Sequence, residues 1–441
     1  MWNSFKNYLI RRLIDVNVNE LDFSEYDNSA DVEHWVSIYE NRPPWEEWND
    51  HGHQVVFGRN LGAAIVSELA RKVTVEMKSE IIGGERGDYL NKQYQPLVER
   101  TRRIVEQLLV QGGGILKPFV SNGRIGIQYM RPGSFIPLRF NDFDELVSVA
   151  FLDKVKKGDY VYTKVETHDL SHDGIYTITN KLYLGQGIKG RTGQERPLSE
   201  VDKWAHLDPE FVLEDIEQPF YVYIKTPFSN NKDIDSKLGV SVFSKIEGLI
   251  KDYDRIYSEM IREYRLAGIE ISVDYTLING IDHIETSGKK MPGKRKLGFK
   301  ESELYRVTNS IPGEHGNNNG MKEFNPTIKD ESYRKGLNDI LRKIEFNVGL
   351  GYGVLSDVNF AAKTATEVVM GSERTYSTVA DIQKQVIKAY RDIVKIMDKI
   401  ADLDELAPKG NGVLEVTFDF DDGIVPEKIE GTRTAIEISN E

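Results

Sequence analysis

His51 and His53 stand in a His-Gly-His, a spacing that could offer two imidazoles to one metal ion. A closed zinc site needs a second pair of ligands. None is evident in the chain, so a chance surface pair is the simpler reading. Asp419, Asp421 and Asp422 resemble part of a calcium loop, without the bidentate glutamate such a loop requires. Gly112–Gly114 could cradle a phosphate, but no Gly-Lys-Ser/Thr follows, so it is not a P-loop. Gly349, Gly351 and Gly353 alternate after a helical pattern, whereas a dinucleotide-binding loop follows a strand. No serine sits in a Gly-x-Ser-x-Gly elbow. The chain has no cysteine, which removes thiol nucleophiles, disulfides and zinc–thiolate sites together. The expectation is a protein without a catalytic centre, metal or cofactor. One charged cluster remains, Lys289, Lys290, Lys294, Arg295, Lys296 and Lys300. It reads either as a solvated loop or as a contact for an acidic partner or a nucleic-acid backbone.

That cluster lies between two helical patterns. Over Ser241–Ala267 the apolar residues Ile246, Ile250, Tyr253, Tyr257 and Met260 recur three and four apart, which places them on one stripe. Gly268 ends the pattern. A second stripe, with Leu337, Ile340, Ile344 and Val348, runs over Lys329–Val348. Between them the chain reads as strands (Ile269–Leu277, Glu303–Val307) and polar, glycine-rich loop. Past the second helix, Gly349–Lys363 reads as a loop. Thr364 and Glu367 form a capping box opening a helix that runs to Leu403. Val413–Phe420 is a last strand.

The N-terminal part reads as helices followed by a mostly antiparallel sheet. Helices are expected at Asn60–Val75 and Gln95–Val110. Strands are expected at Ile115–Val120, Arg124–Met130, Ser134–Arg139, Leu146–Lys154, Tyr160–Asp169, Gly174–Leu184 and Phe220–Ile224. Met1–Asp15 has the spacing of a short surface helix, and its apolar run is too interrupted for a signal peptide. Asn28–Asp50, with Trp35, Trp45, Trp48 and the Pro43–Pro44 pair, reads as a surface loop whose tryptophans pack onto a neighbour or onto the same chain.

The 441 residues are 39% apolar and 29% charged, a folded composition rather than a disordered one. No apolar run approaches the length of a membrane span. The net charge of −13 is the wrong sign for a protein that grips DNA through its phosphates. Any DNA contact should be loose or local.

The order of parts resembles the portal proteins of tailed bacteriophages, of the type found in phages of Gram-positive bacteria. The stretches that carry the resemblance are Asn60–Met77 ending "RKVTVEM", "GGGILKPFV" and "IQYMRPGSFIPL" within Gly112–Leu138, "VGLGYGVLSDVNFAAKTATEVVMGSERT" over Val348–Thr375, and "VTFDFDDGIVPEK" near the end. "KTATEV" at Lys363–Val368 is the most specific.

The resemblance implies a portal-like α+β fold: an α+β wing, two long stem helices bracketing a small α/β clip, and a long C-terminal helix followed by a strand. By position, the wing is 1–240, the first stem helix 241–267, the clip 268–328 and the second stem helix 329–348. A tunnel loop spans 349–363, a long wing helix 364–403, and a terminal strand with a reduced crown 404–441. It further implies a dodecameric ring at one capsid vertex of the virion, made in the host bacterial cytoplasm, through which double-stranded DNA is packaged and ejected. The implied partners are the terminase large subunit, then a head–tail adaptor, with the major capsid and scaffolding proteins and no membrane. Tyr352, Asp357, Asn359 and Lys363 would face DNA in the channel. The basic cluster at 289–300 would touch the clip's partner. Ile246, Ile250, Tyr253, Tyr257, Ile340 and Ile344 would pack the stem. Another ring-forming head–tail protein, such as an adaptor, is the alternative. An enzyme with an unrecognised site is the remaining one.

Overall fold

In the computed structural model the described residues are 29–48, 54–158, 160–186, 193–266, 270–274, 305–308, 321–324, 327–357, 365–408, 414–420 and 437–438. In chain order the elements begin with α1 (Ser29–Tyr39), β1 (Glu47–Trp48), β2 (Gln54–Val56), α2 (Leu61–Thr74), β3 (Lys78–Ile82), α3 (Gly84–Glu99) and α4 (Thr101–Gln111). Nine strands follow: β4 (Gly113–Ser121), β5 (Arg124–Met130), β6 (Phe135–Phe140), β7 (Leu146–Lys157), β8 (Tyr160–Leu170), β9 (Tyr176–Gln186), β10 (Gln194–Arg196), β11 (Glu210–Leu213) and β12 (Val222–Lys225). Then come α5 (Glu247–Leu266), β13 (Glu270–Asp274), β14 (Tyr305–Thr308), β15 (Met321–Phe324), α6 (Asp330–Val348), α7 (Ala365–Leu403), β16 (Leu414–Asp419) and β17 (Glu437–Ile438). The α+β expectation holds.

The chain divides into two compact units. One comprises Met1–Pro44, Gly58–Ile250 and Arg342–Glu441; the other comprises Trp45–Phe57 and Lys251–Leu341.

In the first unit an antiparallel sheet runs β10-β9-β8-β7-β6, with β11 also on β9. A second sheet, β12-β4-β5, is antiparallel. The tight Asn122–Gly123 turn joins β4 and β5, both residues at positive φ as such a hairpin requires. Ile115, Phe135, Leu146, Val149, Phe151 and Tyr221 form a core between the two sheets' chains. Ile65, Val66, Leu69 and Ala70 of α2 are fully enclosed, as are Ile382, Ile393, Val394 and Met397 of α7. Each large aliphatic side chain so buried contributes about 2 kcal/mol. At Gly112 (φ +82) a Cβ would strike the backbone of Gly239 and Val240, so the turn between α4 and β4 needs glycine for both conformation and space.

Four expectations are corrected. Asn28–Asp50 is not all loop: Val32, Trp35 and Ile38 recur every third residue and bury one face of α1. Trp35 is 1% exposed within its own chain and unavailable to a neighbour. The helix expected at Gln95–Val110 is two helices, because Arg100 (φ −92, ψ 1) leaves the helical region and its N–H turns back to Leu97 O. The first long helix does not begin at Ser241. Ser241 Oγ accepts the Phe243 N–H at 3.1 Å and caps a 3-10 turn over Val242–Lys245, and Ile246 (φ −123) separates that turn from α5. Finally, the chain returns after its expected last strand. β17 lies antiparallel on β16, whose other edge pairs with β3 from Glu415↔Ile82 to Asp419↔Lys78.

In the second unit β13 is the centre of a three-stranded sheet, parallel to β14 and antiparallel to β15. The β1–β2 ribbon is antiparallel. Trp45, 7% exposed, donates its indole N–H to Asp254 Oδ2 of α5 at 3.0 Å, which satisfies a carboxylate that is itself 1% exposed. Trp45 thus packs on its own chain, while Trp48 is exposed.

Candidate functional site

The apolar stripes of the two long helices are not uniformly covered. On the first, Ile246 and Ile250 are buried, and Tyr253 and Tyr257 are half-buried with ring centroids 5.9 Å apart. On the second, Ile344 is fully enclosed and Ile340 half-buried. The ends of α5 and α6 nearest the three-stranded sheet meet. Tyr264 Oη donates to Asp330, whose carboxylate also takes Arg334 Nε at 2.9 Å, and Lys329 N–H donates to Glu263 Oε1 at 3.1 Å. The Tyr264 hydrogen bond and then Arg334 hold the Asp330 carboxyl below its usual range. The distance between the two helix ends is therefore fixed by side chains carried on the helices themselves.

α6 ends at Gly349 (φ +78), where a Cβ would collide with Thr378 of α7. The chain then folds around one side chain. Glu345, one turn back inside α6 and fully buried, accepts the backbone N–H of Gly353 at 3.0 Å, Leu355 at 2.6 Å and Ser356 at 2.9 Å on Oε1. Its Oε2 accepts Ser356 Oγ at 2.8 Å. Gly351 N–H donates to Thr375 Oγ1 at 2.8 Å, tying the same loop to α7. Successive amides aimed at one carboxylate form an anion nest, here filled from within the chain. Tyr352, 49% exposed, and Asp357 are at the surface of the loop. Asn359 and Lys363 lie outside the described residues, as do Lys289, Lys290, Lys294, Arg295, Lys296 and Lys300, Met1–Asp15, the His51–His53 pair, and Asp421 and Asp422. Glu345 carries no sequence signal: it is an acidic residue on a mixed helix, and only the following glycines hint at a loop that needs an anchor.

α7 is 39 residues long, roughly 58 Å at 1.5 Å per residue. It is pinned to the N-terminal helices by polar bonds as well as by its stripe. Tyr390 Oη and Thr101 Oγ1 are 2.8 Å apart, and Tyr390 meets Tyr94 edge to face. Arg86, 3% exposed, bridges Asp398 and Asp402 at 2.8 Å each and donates to Ala407 O.

Among the described residues no group of three His, Asp or Glu side chains is placed to hold a metal ion, and no helix is long and apolar enough to cross a membrane.

A family model described as phage portal protein, SPP1 Gp6-like, matches residues 93–436. Among solved structures, a chain of the neck of a native GTA particle computed with C12 symmetry overlays at TM-score 0.36 and 13% identity, covering 83% of this chain and 86% of that one. No curated protein matches. The family match spans most of the chain, and the family is one of structural portal proteins. The chain belongs to the SPP1 Gp6-like family of phage portal proteins.

Proposed function

We propose that this chain forms a closed ring at one vertex of a phage capsid, a passage for double-stranded DNA during packaging and ejection. The observation that carries the reading is the family match over residues 93–436. In this reading 1–240 is a wing, and 241–267 and 329–348 are the stem helices. Residues 268–328 are a clip that meets the terminase large subunit and later a head–tail adaptor. Residues 349–363 are a loop facing DNA, and twelve copies close the ring beside the capsid and scaffolding proteins.

The physical chemistry is compatible. A conduit must not hold its cargo, because each phosphate neutralised by the wall adds counterion-release affinity at every step of translocation. A chain of net charge −13 avoids that trap. The energy for translocation would come from a separate motor. Electron-microscopy class averages of the purified chain test the reading. Rings with a central hole are expected. A compact monomer that turns over a small molecule would remove it.

A further inference from the structure

A cleft of about 680 Å³ opens in the first unit where β4, β5, β7 and β8 meet α4. Its charged lining is Arg100, Arg103, Lys117, Arg131, Lys164 and Lys203 against Asp153 and Glu166. Six cations face two carboxylates, an excess of four in a chain whose net charge is −13. The floor charges are spent on each other. Lys117 Nζ lies 2.5 Å from Glu166 Oε1 and Lys164 Nζ 2.6 Å from Glu166 Oε2, while Lys203 pairs with Asp153 at 2.6 Å. Arg100 is turned onto the carbonyls of Pro96 and Ile127. Arg103 and Arg131 are different. Both are exposed, and neither has an ion-pair partner among the described residues. Ile104, Met130 and Phe151 line the cleft beside them.

Elsewhere in the same unit the opposite pattern occurs. Residues 208–217 carry Asp208, Glu210, Glu214, Asp215 and Glu217, with no lysine or arginine. All five are exposed, and none has an ion-pair partner among the described residues. Between them Phe211 is 49% and Val212 50% exposed on β11, an edge strand. The segment is fixed in advance by pairing of β11 with β9 and by bonds from Asn180 to Pro209 O (2.8 Å) and Asp208 O (2.9 Å). Such pre-ordering lowers the entropy cost of docking. The same bonds tie the segment to its own sheet, so the copy that offers it is not the copy whose cleft receives it.

We infer that the acidic edge segment 208–217 of one copy docks on the basic cleft at Arg103 and Arg131 of the next. Two different patches of one chain then meet head to tail, the kind of contact that repeats around an axis and closes a ring. The apolar lining of the cleft, where Met130 is half-buried, suits Phe211. The inference rests on the ring reading above and adds to it which surfaces touch.

The test uses the full chain. One variant reverses the unpaired charge of the cleft (Arg103→Glu with Arg131→Glu), and another reverses the segment (Glu210→Lys, Glu214→Lys and Glu217→Lys), leaving three lysines against Asp208 and Asp215. All five positions are exposed, so both variants should match the wild type in circular dichroism and melting temperature. Each alone should lose rings in class averages, with the self-association midpoint in sedimentation raised at least about tenfold. An equimolar mixture should recover rings, because the reversed cleft of one accepts the reversed segment of the other and the unaltered patches still match. Such an alternating ring closes only with an even number of copies. If either variant alone assembles like the wild type, or the mixture stays dispersed, the contact is wrong while the ring reading stands. If the wild type itself forms no ring, the ring reading fails first. If the cleft variant keeps its rings but loses affinity for duplex DNA, the cleft belongs to nucleic acid and the inference is overturned.

Discussion

Glu345 and Ser356 are joined twice: Oε1 of the glutamate accepts the serine's backbone N–H at 2.9 Å and Oε2 accepts its hydroxyl at 2.8 Å. Eleven residues apart in sequence, they close the loop that follows α6 onto the helix it came from. Oε1 also takes the amides of Gly353 and Leu355, so removing the carboxylate strands the Leu355 and Ser356 amides and the serine hydroxyl at once, while the Gly353 N–H keeps Ser356 Oγ at 3.2 Å. Each buried donor left without a partner costs about 1–3 kcal/mol, softened where the loop can open to water. Glu345→Ala should therefore lower stability by at least about 3 kcal/mol. Glu345→Gln, which keeps one acceptor oxygen, should lose less. Thermal melts of the two variants beside the wild type check both the size and the order.

Ile340 and Ile344 lie one turn apart on the same stripe yet should answer differently to a charge. Ile344 is fully enclosed by its own chain, so Ile344→Asp buries an unpaired carboxyl and should cost several kcal/mol, destabilising the subunit before any assembly step. Ile340 is half-buried. Ile340→Asp should leave the subunit within about 1 kcal/mol of wild type, and should reduce assembly if the stripe faces a neighbour. Melting curves read the first effect and sedimentation the second. Equal melting temperatures for the two variants would show that the stripe is not divided in this way.

These two isoleucines also mark how far the sequence could be read. Helical spacing located both long helices and α7, since a stripe of apolar residues needs only periodicity to be visible, but it began the first at Ser241 where the helix starts at Glu247. Spacing could not say which part of the stripe its own chain covers, because that depends on residues far away in sequence. Arg86 is the clearer omission. It sits in Gly-Glu-Arg-Gly-Asp, a polar run without a stripe, and its meaning comes from Asp398 and Asp402, more than 300 positions later. α1 and β3 were hidden for a related reason. Each buries only two or three side chains, too few for a pattern, and β3 is defined by its pairing with β16.

Arg86→Ala should cost about 3 kcal/mol. The cost of breaking a buried ion pair by removing one partner is about 3–5 kcal/mol, and the lower end applies because the Asp398 and Asp402 side chains are 20% and 40% exposed and can recover water. The loss should appear in urea unfolding as a lower midpoint with an unchanged slope. Arg86→Lys should recover little, since one ammonium cannot reach two carboxylates and a carbonyl in the geometry of a guanidinium.

The Glu166–His168 pair predicts how stability follows pH. Burial pushes the His168 imidazole below its usual value against the opposing pull of Glu166. The unfolded chain then takes up a proton near about pH 6.5 that the folded chain resists, so stability falls as pH drops below that point. For Glu166, burial would raise the carboxyl, but the His168 hydrogen bond, Lys117 and Lys164 outweigh it and hold it well below the usual carboxylate range. Its contribution is complete above about pH 4.5 and is lost as pH falls toward the folded value. Both groups lose on acidification, so calorimetric melting temperatures should decline steadily from about pH 7 to about pH 4. His168→Gln should flatten the upper part of that decline and leave the lower part in place.

The last prediction separates the loop's anchor from its tip. Leu355 and Ser356 donate to Glu345, so a deletion that includes them would free a buried carboxylate and confuse misfolding with loss of function. A deletion of residues 358–361 removes none of the residues that bond to Glu345 and retains the exposed Tyr352 and Asp357. If the loop faces DNA in a channel, this variant should fold and assemble as the wild type does while virions built with it package or retain less DNA. Subunit melting temperature and ring yield serve as the controls, and encapsidated DNA per particle is the readout. Particles with a full genome complement would assign the loop beyond Asp357 to the protein's own packing and leave the passage to be lined by other residues.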